Sequence, residues 1–202
     1  MPIKIGLMEI VNQALYDTVN LGHNPISRSY HLFCTPIGLE DPYGTEYGKW
    51  DGKQWLHTNM LQAGMLDAPK QFFAKRVNLL FLCEGVPLRI YETSLYARTH
   101  ISFRVAEKTY WQGPGWMAAS PFALFGTPQE EIQRMSERYG VEWDSVGANL
   151  VPFSNKDANF EHGIRLDVQE SFMVEARIYE GGDHENKQLA VHIDGDKIRP
   201  VL

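Results

Sequence analysis

Residues 72–116 read FFAKRVNLLFLCEGVPLRIYETSLYARTHISFRVAEKTYWQGPGW, an almost wholly apolar segment followed by a strictly alternating one. No other stretch restricts the fold as much. Val77, Leu79 and Phe81 share one face of an extended chain, and Leu80 and Leu82 share the other. A strand apolar on both faces is stable only when both are covered, as between two sheets. Lys75, Arg76 and Asn78 interrupt the run at its start, so that end is expected to meet solvent or a neighbouring subunit. Farther on, Ile101, Phe103 and Val105 alternate with His100, Ser102 and Arg104, which describes a half-buried strand with one wet face.

The rest of the chain repeats the strand pattern. Residues 28–35 (RSYHLFCT) form a short aromatic segment closed by Pro36. A long Gly- and Pro-rich connection follows, and residues 54–59 are predicted to form a second strand leaving the Asp51-Gly52 turn. In the C-terminal third, Phe172, Val174, Ala176 and Ile178 alternate, GGDHEN reads as a turn, and Leu189, Val191 and Ile193 alternate again. Asp194-Gly195 is a two-residue hairpin signal. One helix is predicted near 128–139: Thr127-Pro128-Gln129-Glu130 supplies a capping box with Pro at the first helical position, Ile132, Met135 and Tyr139 recur at helical spacing, and Gly140 provides the stop. Residues 1–27 mix short apolar pieces with turn formers and read as an N-terminal arm or edge segment. The expected architecture is all-β, an antiparallel β-sandwich or single jelly roll over residues 28–202.

Composition bears mainly on partners. The 202 residues carry a formal net charge of −6, with acidic and basic residues well mixed. Binding nucleic acid over a whole surface draws on a basic excess, because counterion release from the phosphates drives it. Any such contact is therefore expected only through local patches such as Lys4, Lys70, Lys75 and Arg76. The N-terminus lacks the apolar stretch of a secretory signal, and no apolar run reaches the roughly 18 residues of a membrane span. Cys34 and Cys83 are too few for a disulfide framework and read as free thiols.

The search for chemistry yields no strong motif. His192 and Asp194 share a strand face, with His162 and His184 on nearby loops, but no His-x-His is present to seed a cupin-type metal set. Cys34 and His31 lie three apart on one strand and so point to opposite faces. Gly113-Pro114-Gly115 lacks the Lys-Ser/Thr of a phosphate loop and reads as a tight turn flanked by Trp111 and Trp116. The loop carboxylates Asp41, Glu46, Asp51, Asp144, Asp157 and Glu161 read as solvated. No cofactor, metal site or catalytic residue is expected. The aromatics, Trp50, Trp55, Trp111, Trp116 and Trp143 among them, fit three roles: core packing, interface anchors, or platforms for sugars.

Residues 58–120 carry a resemblance. The order TNMLQAGMLDAPKQFFAKRVNLLF, a short strand, then ISFRVAEKTYWQGPGWM, with its Lys108-Thr109-Tyr110-Trp111-Gln112-Gly113-Pro114 turn, resembles jelly roll structural proteins of bacterial viruses. The resemblance implies a capsid or capsid-associated subunit. Such a subunit is made in the host cytoplasm, resides in the virion, has no catalytic activity, and partners copies of itself and other virion proteins. Trp50, Lys75, Arg76, Trp111 and Trp116 are then the candidate interface or binding residues. Two alternatives stand beside it: a carbohydrate-binding, adhesin-like jelly roll module, and a cupin-like metal enzyme.

Overall fold

The computed structural model describes residues 8–24, 28–40, 52–68, 70–83, 86–88, 95–119, 159–168, 170–179 and 182–200. The helix expected near 128–139 lies outside them, as do Lys4, Trp50, Trp143 and the loop carboxylates Asp41, Glu46, Asp51, Asp144 and Asp157. In chain order the strands are β1 (Met8–Asn12), β2 (Leu15–Asn24), β3 (Arg28–Leu32), β4 (Gln71–Cys83), β5 (Val86–Pro87), β6 (Thr99–Val105), β7 (Lys108–Pro114), β8 (Asn159–Leu166), β9 (Phe172–Ile178) and β10 (Gly182–Pro200). A one-turn helix α1 (Leu95–Arg98) precedes β6, and a 3-10 turn (Gly115–Ala118) follows β7. Among the described residues no helix is long and apolar enough to cross a membrane.

Among the described residues all pairings between strands are antiparallel and make two sheets. Sheet A has the order β1-β10-β4-β5, with β2 also on β10 and β8 also on β4. Sheet B has the order β3-β9-β6-β7. The pairs nest around the β6–β7 hairpin: β4 with β8, β3 with β9, and β1 and β2 with β10. One long hairpin has thus been rolled so that successive pairs fall in alternate sheets, and the roll is closed by β4 on β10 and β6 on β9. This double Greek key is the jelly roll.

Period-two alternation supplies the core. Leu15, Val19 and Leu21 of β2, Leu189, Val191 and Ile193 of β10, and Val77, Leu79 and Phe81 of β4 are buried in register on sheet A. Facing them, Tyr30 and Leu32 of β3, Phe172, Val174, Ala176 and Ile178 of β9, and Ile101, Phe103 and Val105 of β6 are buried on sheet B. Leu80, Ala190 and Asn78, on the other face of sheet A, are buried too, as the two-sided apolar run predicts.

A β-bulge sets the phase of β4. Phe72 and Ala74, at even positions, are buried, and so are Val77, Leu79 and Phe81, at odd ones. Asp194 pairs with Arg76 and Gly195 with Ala74, so Lys75 is the extra residue that switches the parity. Opposite it, a Cβ on Gly195 would lie 2.0 Å from the Phe73 carbonyl oxygen and 2.6 Å from the Phe72 ring. Asp194-Gly195 is therefore the partner of a bulge inside a 19-residue strand, not the turn of a hairpin. Pairing with β1 on one side and β4 on the other overrides the local turn preference. GGDHEN is likewise not a free turn, since Gly182, Asp183 and His184 pair with β2.

Two further expectations are corrected and a third is narrowed. Residues 15–24, within the expected arm or edge segment, form a strand paired with β10 whose inward row joins the core. Residues 54–59 make a turn, with Thr58 and His57 amides donating to the Gln54 carbonyl at 3.1 and 2.8 Å. Residues 111–114 are extended in β7 rather than turned. The tight turn lies earlier, at Ala106 and Glu107, where Ala106 has φ of 51° and its amide donates to Ser171 O at 2.6 Å.

Gly195→Ala is expected to destabilise the fold by about 1–3 kcal/mol, the range for forcing an extra methyl into a filled site. Urea unfolding measures this. A stability equal to wild type would show that the bulge does not need the missing side chain.

Candidate functional site

Alternation places Asp17 in the inward row of β2, between Leu15 and Val19, where its carboxylate is 0% exposed. Lys53, 1% exposed, meets it at 2.7 Å, and the amides of Phe33 and Thr18 donate to its oxygens at 2.5 and 3.0 Å. Burial pushes the Asp17 carboxyl up from its ordinary range, and Lys53 and the Phe33 and Thr58 hydrogen bonds oppose this. Phe33 carries φ of 70°, unusual for a bulky side chain. It is held there by its amide bond to Asp17 and by its ring against Phe172, 5.6 Å between centroids.

This node fastens the long connection between β3 and β4. Lys53 exchanges backbone hydrogen bonds with Gly38 and Leu39 at 2.7 and 3.0 Å. Asn59 then lies along the outer side of β2: its amide donates to Tyr16 O at 3.2 Å, its Oδ1 accepts from Tyr16 N at 3.0 Å, and its Nδ2 donates to Ala14 O at 2.9 Å. The Tyr16 hydroxyl donates to Trp55 O. The chemistry available to this node is limited by burial, since neither charged group reaches solvent. Nearby Cys34 is no activated nucleophile, because burial and then Asp17 raise its thiol pKa, with Lys53 opposing.

Where this connection meets the β1–β2 junction, a groove of about 150 Å³ opens. Leu15, Met60, Leu66 and Phe72 form its apolar floor, Trp55 and Leu61 its exposed rim, and Lys70 and Lys197 its polar side. Lys70 is paired with Asp67, and Lys197 donates to Gln13 Oε1 at 3.2 Å. Burial, then Lys70 and Arg199, lower the Lys197 ammonium pKa against the pull of Asp67. Such a groove can seat an apolar side chain beside an anionic group. Beyond it, β1 exposes Met8 (53%) and Ile10 (67%).

On the outer face of sheet A, His192 lies opposite Asn78 on one side and Tyr16 on the other. Asn78 Nδ2 donates to Asp194 Oδ2 at 2.6 Å. Burial holds the His192 imidazole below its ordinary pKa, and Asp194 opposes this. His57 is lowered too, by burial and by Lys53. Among the described residues no three or more His, Cys, Asp or Glu side chains are placed to hold a metal ion.

The residues singled out from the sequence fall in separate places. Lys75 is the outward bulge residue of β4, paired with Asp196 at 2.5 Å. Arg76 lies next to it, half-buried and opposite Asp194 in the ladder. Trp111, half-buried on β7 at the edge of sheet B, packs on the core and lies against Gly113. Trp116 is 45% exposed in the 3-10 turn. Lys75 and Arg76 thus lie on sheet A, Trp111 on sheet B and Trp116 in the 3-10 turn after it, and Trp50 is outside the described residues. Lys70 and Lys75 each face a carboxylate, which weakens them as a phosphate-binding patch. Sequence reasoning missed Asp17 and Lys53. The run Leu15-x-Asp17-x-Val19-x-Leu21 was the available signal, an alternating strand with one carboxylate in its apolar row.

No protein-family model matches this chain, and neither the curated proteins nor the solved structures searched contain a match.

Lys53→Met is expected to cost about 3–5 kcal/mol, because it leaves the Asp17 charge buried and unpaired. Asp17→Asn added to Lys53→Met should recover part of that loss, since Asn removes the buried charge while its single Oδ1 still accepts one of the two backbone bonds. Denaturant unfolding of both variants tests this, and equal losses would refute the charge argument. A second expectation concerns acid. A histidine lowered in the folded state contributes stability that is complete above its unfolded pKa of about 6.5 and is lost as pH falls through it toward the folded value. Stability should therefore drop from pH 7 to pH 5, and His192→Gln should flatten that slope, leaving the share due to His57. An unchanged slope would exclude His192.

Proposed function

We propose that this chain is a structural subunit of a virion, a jelly roll capsid or capsid-associated protein that assembles with copies of itself. The observation that carries the reading is the jelly roll strand order, combined with an apolar strand edge and groove rim left exposed on sheet A. Virus shells are among the best-known uses of this fold, together with lectins and cupins. The step from fold to role is an analogy, because folds host many functions. It is supported by the resemblance of residues 58–120 to phage structural proteins. The exposed side chains add a physical reason: Trp55 and Leu61 are 61 and 49% exposed around one groove, and clustered apolar surface of this kind marks protein contacts. A carbohydrate-binding role is the second reading, favoured by exposed Tyr110 and Trp116 on the rim of sheet B.

Light scattering after size exclusion and electron microscopy across a concentration series test the first reading. Ordered oligomers or closed shells are the expected result, and a particle that stays monomeric at the highest attainable concentration would overturn it. Glycan binding abolished by Trp116→Ala would instead favour the second.

A further inference from the structure

The two strands β1 and β2 pair with β10 in one continuous register: Met8 faces Pro200, Asn12 faces Asp196, Leu15 faces Ile193 and Asn20 faces Gln188. They behave as a single long strand whose far side is treated in two ways. Along β2, Ala14 and Tyr16 turn their backbone groups away from β10 and bond to Asn59. Along β1, no described residue pairs with the far side.

Hydrogen-bond phase identifies which groups stand open. The Gln13 amide donates to Gly195 O at 3.2 Å, toward β10, while Tyr16 points the other way. In an antiparallel ladder these directions alternate residue by residue. Val11 and Glu9 therefore bond to β10, and Met8, Ile10 and Asn12 direct their N–H and C=O groups outward. Natural edges are usually blunted by Lys, Pro, bulges or inward-pointing charge. This edge, MEIVN, has a single charge, Glu9, already engaged by Arg199 at 2.7 Å. Met8 and Ile10 stand exposed, and Ile10 lies directly opposite Ile198 on the same face.

We propose that β1 is an isologous contact: it pairs antiparallel with β1 of a second copy across a two-fold axis at Ile10, joining two A sheets into one. The inference rests on the reading of the chain as a self-assembling subunit and names the surface used. Register follows from the residues. Centred on Ile10, the strands set outward groups against outward groups, Met8 against Asn12, and Glu9 against Val11, so that no like charges face one another. Centring on Glu9 opposes two carboxylates, and centring on Val11 sets Met8 against Ala14, whose carbonyl Asn59 already occupies. Centring on Asn12 runs into Ala14 and Tyr16, whose outward groups Asn59 already occupies. A closed two-fold contact of this kind adds one partner and stops, as symmetric interfaces do.

The test uses the full chain in sedimentation equilibrium over a wide concentration range. Wild type should associate reversibly. Ile10→Lys, which brings two ammonium groups to the axis, should weaken that step at least about ten-fold, or about 1.4 kcal/mol, with an unchanged melting temperature. Register is read by oxidative cross-linking, with wild type controlling for Cys34 and Cys83. Ile10→Cys should give a linked dimer, because the two introduced thiols face each other across the axis, and Val11→Cys should not, because there each thiol faces Glu9 of the other copy. Cross-linking of Val11→Cys as efficient as that of Ile10→Cys would overturn the register. Association of Ile10→Lys as tight as wild type, within a wild type that assembles, would overturn the edge contact and leave self-assembly standing. A wild type that never associates would overturn both.

Discussion

Twelve residue pairs between β4 and β10, from Lys187 with Cys83 to Ile198 with Gln71, hold sheet A together. Among the described residues β1 and β2 join the sheet only through β10, and β5 and β8 only through β4. Without that one ladder the sheet separates into two fragments, each with half a core face. The pairing joins the middle of the chain to its end, so it cannot form until the loops between them have closed, and loop closure costs entropy that grows only slowly with length. Burial on both faces of Val77–Phe81 and of Leu189–Ile193 makes the closure favourable. The bulge at Lys75 belongs to the same constraint: it lets the two strands stay paired while β4 changes which parity faces inward.

What could be read from the sequence follows from how local each signal is. The two-sided run at 77–81 and the alternation at 101–105, 172–178 and 189–193 are period-two patterns of long, uniformly apolar rows, and the structure buries those side chains. β2 escaped because Asp17 stands in its apolar row and turn-forming residues surround it, so pattern and composition pointed different ways. The burial of Asp17 depends on Lys53, 36 positions away, which no local window contains. The strand predicted at 54–59 from the preceding Asp51-Gly52 turn does not form, because the segment bonds to itself and then to β2. Asp194-Gly195 is a hairpin dipeptide by local preference, but its glycine is required by a carbonyl across the ladder. Strand order left no local trace at all, since the nesting of the pairs is a property of the whole chain.

The Asp17–Lys53 pair shows how a costly interaction can serve specificity. Removing two charges from water costs several kcal/mol per ion, and their attraction repays this only with close geometry and further hydrogen bonds. Here the backbone amides of Phe33 and Thr18 complete the carboxylate's shell. The arrangement accepts only one path for the β3–β4 connection, because Lys53 must enter the sandwich at the level of Asp17. Once it does, Thr58 and Asn59 are carried to the side of β2, and Ala14 and Tyr16 lose their free edge.

The open edge is therefore bounded by the same node that closes its neighbour. If the connection lay one residue farther along, Ala14 would be free and a partner strand could slide toward β2 in steps of two. With Asn59 in place the open edge stops short of Ala14, and among the described residues Met8, Ile10 and Asn12 face out. An edge closed off at one end limits how far a partner strand can slide, and that limit favours one register over the others. The buried charge that looks least connected to any surface role is thus the element that decides where the open edge stops on the side of β2.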